Sequence, residues 1–507
     1  MASKYDIPPA VGVAAFTDAR TTGFAGEKER YAARVHQETV EYLQAQGFRV
    51  VDGMAFLRAD EPMYGIRSSA EVRRVAAEFA RQEVDCLVLG CGSWSDPMLS
   101  VAMVREANLP VCLHTAGDPQ LSGAGVTALT AVGSSLWEVA PNSHALTHER
   151  VREHKAPIAT WVRGVAALGQ LRRSSILLWG GSYCLKMDHL QDDFPRLKSF
   201  LIGDVLSEDQ YLLVRGAERL LAEQPDRIGR FLAWAQDAGL KIEFDSAMLT
   251  QQSLERQVAL YLAARDRLDA LEEENVVAIS IKCQPELSVE WGTTACSLPA
   301  FLPLSEDSEG ERRMLPTVCE GDTKGALTCA LLARLAPEVP PLFGDLKDIT
   351  DSGFVISNCG GAAAYWGNYG RGRRPLEGVS WAAQCQGASG GALGYHSPPE
   401  QVTVARLVRI AGEYSMQLGL GRVVEMPQAM RQGINWGLSW PHTTIDLGID
   451  PYLLLRAAGS NHYCATLGDR TAELMHACRE AGISVQRLDS NAGLQHILDT
   501  VPRRWPG

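Results

Sequence analysis

Short apolar runs alternate with amphipathic stretches through the first third of the chain. Val11–Phe16, Phe48–Val51, Val84–Gly90 and Leu109–Leu113 each read as a strand. Between them, Lys28 to Gln46 sets Tyr31, Val35, Tyr42 and Leu43 near one helical face and stops at Gly47. Val72, Val75, Ala76 and Phe79 form a second helical stripe, and Pro97 to Ala107 a third helix. Nearly continuous apolar strands separated by such helices predict a parallel sheet covered on both faces. Ligands of such sheets sit at the carboxyl ends of the strands, which here carry Thr17-Asp18-Ala19-Arg20 and Cys91-Gly92-Ser93-Trp94.

The pattern restarts near Arg172. Ser175–Trp179 is a strand ending in Gly180-Gly181-Ser182, a glycine-rich turn that matches neither a Walker loop nor a dinucleotide fingerprint. Phe200–Ile202 and Lys241–Phe244 read as further strands, Gln251 to Glu274 as a long helix, and Val276–Lys282 as a buried strand. After Pro337, Pro340 and Pro341 the pattern changes again. Glycines accumulate from Gly360 to Gly391, helical periodicity fades, and Val379–Ala383, Thr403–Val408 and Tyr452–Arg456 read as strands before a late helix over Thr471–Ala481. The expected fold class is therefore α/β: two parallel-sheet α/β domains, residues 1–171 and 172–338, followed by a mostly β, barrel-like C-terminal domain, residues 339–507.

Length and composition agree with this division. The 507 residues suggest about three domains at roughly 100–200 residues each. A net charge of -12 disfavours nucleic acid and anionic membrane surfaces as partners. The N-terminus lacks the apolar core of a signal peptide, and no run approaches the ~18 apolar residues of a membrane span, so a cytoplasmic protein is expected. The 12 cysteines are scattered without a CxxC pair and read as buried thiols.

The chemistry concentrates between Val276 and Asp345. Glu320, in Cys319-Glu320-Gly321-Asp322, and Asp345, in Phe343-Gly344-Asp345, each follow a short apolar segment where a strand end can deliver a carboxylate into a cleft. Taken singly, Glu320 reads as a surface carboxylate at a turn and Asp345 as a turn residue or helix cap. Together with a histidine they would make an oxygen-rich site for Mn²⁺ or another divalent ion, able to polarise a hydroxy-carbonyl substrate. His462, in Ser460-Asn461-His462, is the expected third ligand, and His442, in Trp440-Pro441-His442, the other candidate. Cys319 is expected to point away from Glu320 because strand side chains alternate. Arg20, Trp94, Gln284 and Trp440 suit contacts with sugar hydroxyls and C–H faces. The basic run Arg371, Arg373 and Arg374 could bind an anion or form a solvated turn.

These segments resemble, in order, the L-fucose isomerase family, with L-arabinose isomerase as a more distant relative. Asp18-Ala19-Arg20 is similar to its N-terminal arginine loop and Cys91–Trp94 to its aromatic-bearing loop. Cys319-Glu320-Gly321-Asp322 resembles its Cys-Glu-x-Asp motif and Phe343-Gly344-Asp345 its second acidic motif. Trp440-Pro441-His442 and Asn461-His462 resemble its C-terminal segments. The resemblance implies Mn²⁺ held by Glu320, Asp345 and His462, and reversible aldose–ketose isomerisation with Glu320 and Asp345 as the acid–base pair. Their division of labour stays open. It implies substrate contacts from Arg20, Trp94, Gln284, Trp440 and His442, and a homohexamer in which Arg20 and Trp94 reach a neighbour's site. The chain departs from the family in being shorter and in the loop after Gln284, so the sugar (L-fucose, D-arabinose, L-arabinose or a related aldose) is not specified. Two rival readings are a non-catalytic sugar-binding protein and a metal-dependent carbohydrate lyase or hydrolase.

Overall fold

The structure, a computed structural model, describes residues 8–18, 25–57, 64–116, 124–153, 155–245, 247–384, 386–434, 437 and 439–501. The chain divides into two compact units, one comprising residues 6–170 with 472–482, the other residues 1–5, 171–471 and 483–507.

In the unit built on residues 6–170, five parallel strands run in the spatial order Arg49–Asp52, Ala10–Ala15, Cys86–Gly90, Val111–His114 and Glu149–Val151. The period-2 rule decides what each strand residue packs against. Ala10, Ala14, Leu87 and Leu89 join the core on one face, with Phe79 and Val104. Val11, Val13, Cys86 and Val88 join a separate core on the other, with Val162 and Trp161. Every one of these strand residues is apolar because the sheet has no wet face. The helix Thr471–Ala481, late in sequence, falls in this unit over residues 472–482. Its Glu480 accepts a hydrogen bond from the Thr147 hydroxyl (2.7 Å) and pairs with His144 (2.6 Å).

The other unit holds a four-stranded parallel sheet and a large mostly antiparallel one. The parallel sheet runs Thr317–Cys319, Val276–Ile281, Ser175–Trp179, Asp204–Glu208. Its last strand lies later than the sequence pattern suggests. Phe200–Ile202 is no strand: Phe200 ends the helix Phe194–Phe200, which Asp193 caps by accepting from the Arg196 amide at 3.0 Å. The Lys241–Ile242 strand pairs with Ser380–Ala383 and so belongs to the second, ten-stranded sheet.

Six strands of that second sheet close on themselves. Glu413–Val424 pairs with Glu400–Ile410, then His462–Leu467, Leu342–Ile349, Gly353–Ser357 and Pro441–Asp446 follow, and the last returns to Glu413–Val424. Closure removes the exposed edges that a six-stranded antiparallel sheet would otherwise present. The longest hairpin, Glu400–Ile410 with Glu413–Val424, turns through Ala411 and Gly412, both at positive φ (49° and 88°). That backbone twist matches the right-handed twist of the flanking strands. One continuous core runs from Leu177 and Ile279 of the parallel sheet through Leu298 and Trp381 to Phe354, Ile445 and Tyr463 of the barrel. Tyr452–Arg456, an apolar run expected as a strand, is the helix Pro451–Ala457, started by an Asp450 cap and a proline in its first turn. No helix among the described residues is long and apolar enough to cross a membrane.

Candidate metal centre

Glu320 follows the parallel strand Thr317–Cys319 directly, at the carboxyl end where α/β sheets present their ligands. It sits at φ +67°, with Gly321 at +68°. A side chain at Gly321 would meet the Tyr183 backbone nitrogen at 2.4 Å, so the tight exit from the strand needs glycine there. A left-handed glutamate costs of order 1–3 kcal/mol, and such strain clusters at functional sites. The turn also breaks strand alternation. Cys319 is buried as expected, but it does not point away from Glu320: the Cys319 thiol, the Glu320 carboxylate and the Cys359 thiol come within 4.8 Å of one another.

The barrel supplies the other two groups. His462 opens the strand His462–Leu467, and its directly opposed antiparallel neighbour is Asp345. Opposed residues share a face, so register alone turns the imidazole and carboxylate toward the same space. His462 Nε2 lies 3.0 Å from Glu320 Oε2 and 3.4 Å from Asp345 Oδ1. Ligand atoms of Glu320, Asp345 and His462 all lie within 4.8 Å of one another. Two carboxylates and one imidazole are a donor set suited to a hard or borderline divalent cation such as Mn²⁺.

What holds this cluster is a buried ionic frame. Asp322 caps the helix Thr323–Leu335 by accepting from the Gly325 amide at 2.8 Å. The same carboxylate takes two bonds from Arg406 (2.6 and 3.0 Å) and faces His462 Nδ1 at 2.8 Å. Arg406 and Asp322 side chains are both 0% exposed. Burial pushes Asp322 toward protonation, yet Arg406 and His462 hold it well below the ordinary carboxylate range. Burial opposes a charge on His462 too, but hydrogen bonds to Asp322, Asp345 and Glu320 raise its pKa well above the ordinary value. With Asp322 fixed on Nδ1, Nε2 is the atom presented to Glu320 and Asp345, the carboxylate–histidine arrangement found behind metal-ligating imidazoles. Asn461 orients Asp345, donating to Oδ1 at 3.0 Å, and is itself bonded to His189 at 2.8 Å. Phe343 covers one side of the imidazole, ring centroids 4.8 Å apart.

The remaining expected residues divide. Gln284 and Glu320 line one cavity together with Cys296, Cys359, Asn358 and Gln384. Gln284 donates to the Gln386 side chain at 3.0 Å. Trp440 is buried and carries the Lys347 ammonium 4.8 Å over its ring, while Lys347 Nζ lies 3.9 Å from Asp345 Oδ2. His442 is in cross-strand line with the centre: His462 opposes Asp345, Asp345 opposes Ser357, and Ser357 opposes His442. Burial pushes His442 down to about 4, with His396 beside it contributing. Trp94 belongs to the other compact unit, half-buried just after the strand Cys86–Gly90. Arg20 lies outside the described residues. Arg371 is paired with Glu400 at 2.7 Å and the Arg373 amide with Glu377 at 2.7 Å, in keeping with a self-contained turn.

Sequence reasoning did not find Arg406, the positioning role of Asp322, or Lys347. Asp322 carried a signal, an aspartate immediately before an apolar helix. Arg406 sits inside the strand Glu400–Ile410, where no local pattern marks it for an ion pair.

Residues 374–489 match the family described as L-fucose isomerase, C-terminal domain. The chain is also similar to a sulfoquinovose isomerase of Alkalicoccus urumqiensis, 23% identical over 226 residues that cover 43% of this chain and 46% of that protein. The chain thus spans about half the length of the curated relative it matches. Among solved structures, a galactofuranose binding protein aligns over 64% of this chain and 98% of that chain, at 10% identity and a TM-score of 0.13, a likeness too slight to carry an argument.

Proposed function

We propose that this chain, whose residues 374–489 match the C-terminal domain of L-fucose isomerase, is a metal-dependent aldose–ketose isomerase acting on a small sugar. Glu320, Asp345 and His462 would hold the divalent ion, Mn²⁺ or a similar cation. The observation that carries this reading is their convergence within 4.8 Å, with the imidazole backed by a buried carboxylate that presents Nε2 to the two acids. When bound, such an ion supplies Lewis acidity that makes the proton beside a sugar carbonyl removable.

The chain's own groups do the rest. One of Glu320 and Asp345 takes the C2 proton of the open-chain sugar, the pair returns a proton to C1, and the O2 hydroxyl proton passes to O1, which leaves the carbonyl at C2. A ligating carboxylate can do this through the oxygen it does not give to the metal. Gln284, on the cavity wall shared with Glu320, offers an amide to sugar hydroxyls. The asparagine bond to Asp345 and the aspartate bond to His462 keep both side chains from turning as the proton moves. Family resemblance further supports a homohexamer in which Trp94 and Arg20 serve a neighbour's site. Light scattering tests the size, and loss of turnover in Trp94→Ala without loss of Mn²⁺ binding tests the role.

The deciding experiment strips the protein with chelator and assays a panel of aldoses and ketoses before and after Mn²⁺ is returned. The panel includes L-fucose, D-arabinose, L-arabinose and, from the name of the curated relative, sulfoquinovose. Ketose formation that returns only with the ion, and is absent in Glu320→Gln, supports the reading. Metal-independent sugar binding without turnover would favour a sugar-binding protein. Products of cleavage would favour a lyase or hydrolase.

A further inference from the structure

A second donor cluster meets the metal centre at Glu320. Cys319 ends the strand Thr317–Cys319, and Cys359 lies just beyond the strand Gly353–Ser357. Asn358 ties the two segments together. Its side-chain amide donates to Cys319 Sγ at 3.2 Å, and its Oδ1 accepts from the Gly361 amide at 3.1 Å. Gly360 sits at φ +113°, and a Cβ there would meet Gln384 Nε2 at 2.5 Å, so the turn that carries Cys359 requires glycine. Gln384 Nε2 also donates to the Cys359 carbonyl. These constraints bring one ligand atom each from Cys319, Glu320 and Cys359 within 4.8 Å of one another. Cys283 and Cys296 line the same cavity as these three. N–H donors face their sulfurs too, the Ala295 amide at Cys283 Sγ and Gln384 Nε2 at Cys296 Sγ, both at 3.3 Å. A hydrogen bond donated to sulfur favours the thiolate, the form that binds a metal.

We propose that Cys319, Cys359 and Glu320 form a second cation site, for a thiophilic ion such as Zn²⁺ or Cd²⁺, which shares Glu320 with the Glu320–Asp345–His462 centre. Donor chemistry separates the two. Two carboxylates and an imidazole suit Mn²⁺, whereas two thiolates and one carboxylate oxygen suit a softer, tetrahedral ion. Three protein ligands leave the fourth tetrahedral position to water from the cavity, which makes this an open site rather than a closed structural one. Cys359 is only partly buried, so an ion can reach the cluster from its side. One carboxylate serves both clusters, and two dications a few ångströms apart repel, so filling either site weakens the other. That weakening is reciprocal. A thiophilic ion therefore acts as a brake on the Mn²⁺ centre by competing for Glu320. The site stands on its donor set and does not depend on the isomerase reading.

The test needs no substrate. Reduced, chelator-stripped protein is titrated with Cd²⁺ alone, and the ultraviolet thiolate-to-cadmium charge-transfer band reports coordination by sulfur. We expect a single equivalent to carry the band. Cys359→Ser, the change less tied to the core than one at buried Cys319, should dim the band and leave Mn²⁺ affinity unchanged. Its Cd²⁺ affinity should fall by at least the roughly 10-fold that even loss of a partner behind a ligand costs. Asp345→Asn should do the reverse, weakening Mn²⁺ and keeping the band, and Glu320→Gln should weaken both ions. Saturating Mn²⁺ should move the Cd²⁺ titration to higher concentration. Cd²⁺ binding without the band overturns the site, as does a band and affinity that survive Cys359→Ser. A Cd²⁺ affinity indifferent to Mn²⁺ overturns the sharing of Glu320. A thiolate site in a protein that turns over no sugar would keep this inference and remove the isomerase reading.

Discussion

Asp322→Asn should damage both the fold and the metal affinity, and the two losses can be computed separately from the structure. The native carboxylate satisfies the Gly325 amide, both Arg406 nitrogens that face it, and His462 Nδ1. An asparagine keeps the volume and can still cap the helix through its carbonyl oxygen. It leaves Arg406, 0% exposed, with its charge uncompensated, and turns an amide donor toward a donor. Breaking a buried pair from one side costs about 3–5 kcal/mol, a large part of the roughly 5–15 kcal/mol a domain commands. Loss of the acceptor behind a ligating imidazole lowers metal affinity about 10- to 100-fold. Urea unfolding followed by circular dichroism measures the first loss, and Mn²⁺ titration of the still-folded variant measures the second. Arg406→Met added to Asp322→Asn should recover roughly 2 kcal/mol of stability, because the stranded charge is gone, without recovering Mn²⁺ affinity. An Asp322→Asn protein within 1 kcal/mol of the parent and with unchanged Mn²⁺ binding would refute the frame as described.

Three further outcomes are expected. His442 is 1% exposed and pushed down to about 4, so the unfolded chain takes up its proton between the ordinary value near 6.5 and pH 4 while the folded chain does not. Stability should therefore fall as pH drops through that window, by about 3 kcal/mol at most, and His442→Gln should flatten this part of the pH–stability curve. Mn²⁺ at 100 times its dissociation constant should stabilise the protein by about 2.7 kcal/mol, seen as a raised unfolding midpoint that chelator reverses and that Glu320→Gln lacks. Gly321→Ala places a methyl 2.4 Å from the Tyr183 nitrogen at a positive φ. It should cost more than the ~1 kcal/mol of an ordinary glycine replacement and weaken Mn²⁺ binding by moving Glu320, an outcome that titration of the refolded variant checks.

Much of the architecture could be read from periodicity, for a definite reason. A strand buried on both faces has to be apolar throughout, so Ala10–Ala15, Cys86–Gly90, Ser175–Trp179 and Val276–Ile281 announce themselves. The misreadings came where an apolar run is too short for its period to show. Tyr452–Arg456 has the composition of a strand, and only the Asp450-Pro451 start signal marks it as a helix. Phe200–Ile202 has the same history, with Asp193 and Pro195 as the overlooked start. The helix Thr471–Ala481 could be recognised as a helix, but no local pattern records which compact unit it joins.

The candidate centre divides in the same way. That Glu320, Asp345 and His462 are chemically able to share a cation follows from residue type and from their places after apolar segments, which are local properties. That they meet does not follow from any local property. It required Asp345 and His462, 117 positions apart, to fall opposite each other in one antiparallel register, and a left-handed turn to aim Glu320 at them. Arg406 and Asp322 are 84 residues apart and pair only because the barrel packs against the helix that Asp322 caps. The sequence by itself determined the long strands and helices and the supply of donors, since these depend on propensity and hydrophobic period. Only the tertiary structure decided barrel closure, register and the buried ionic frame, because those depend on which distant backbones share hydrogen bonds.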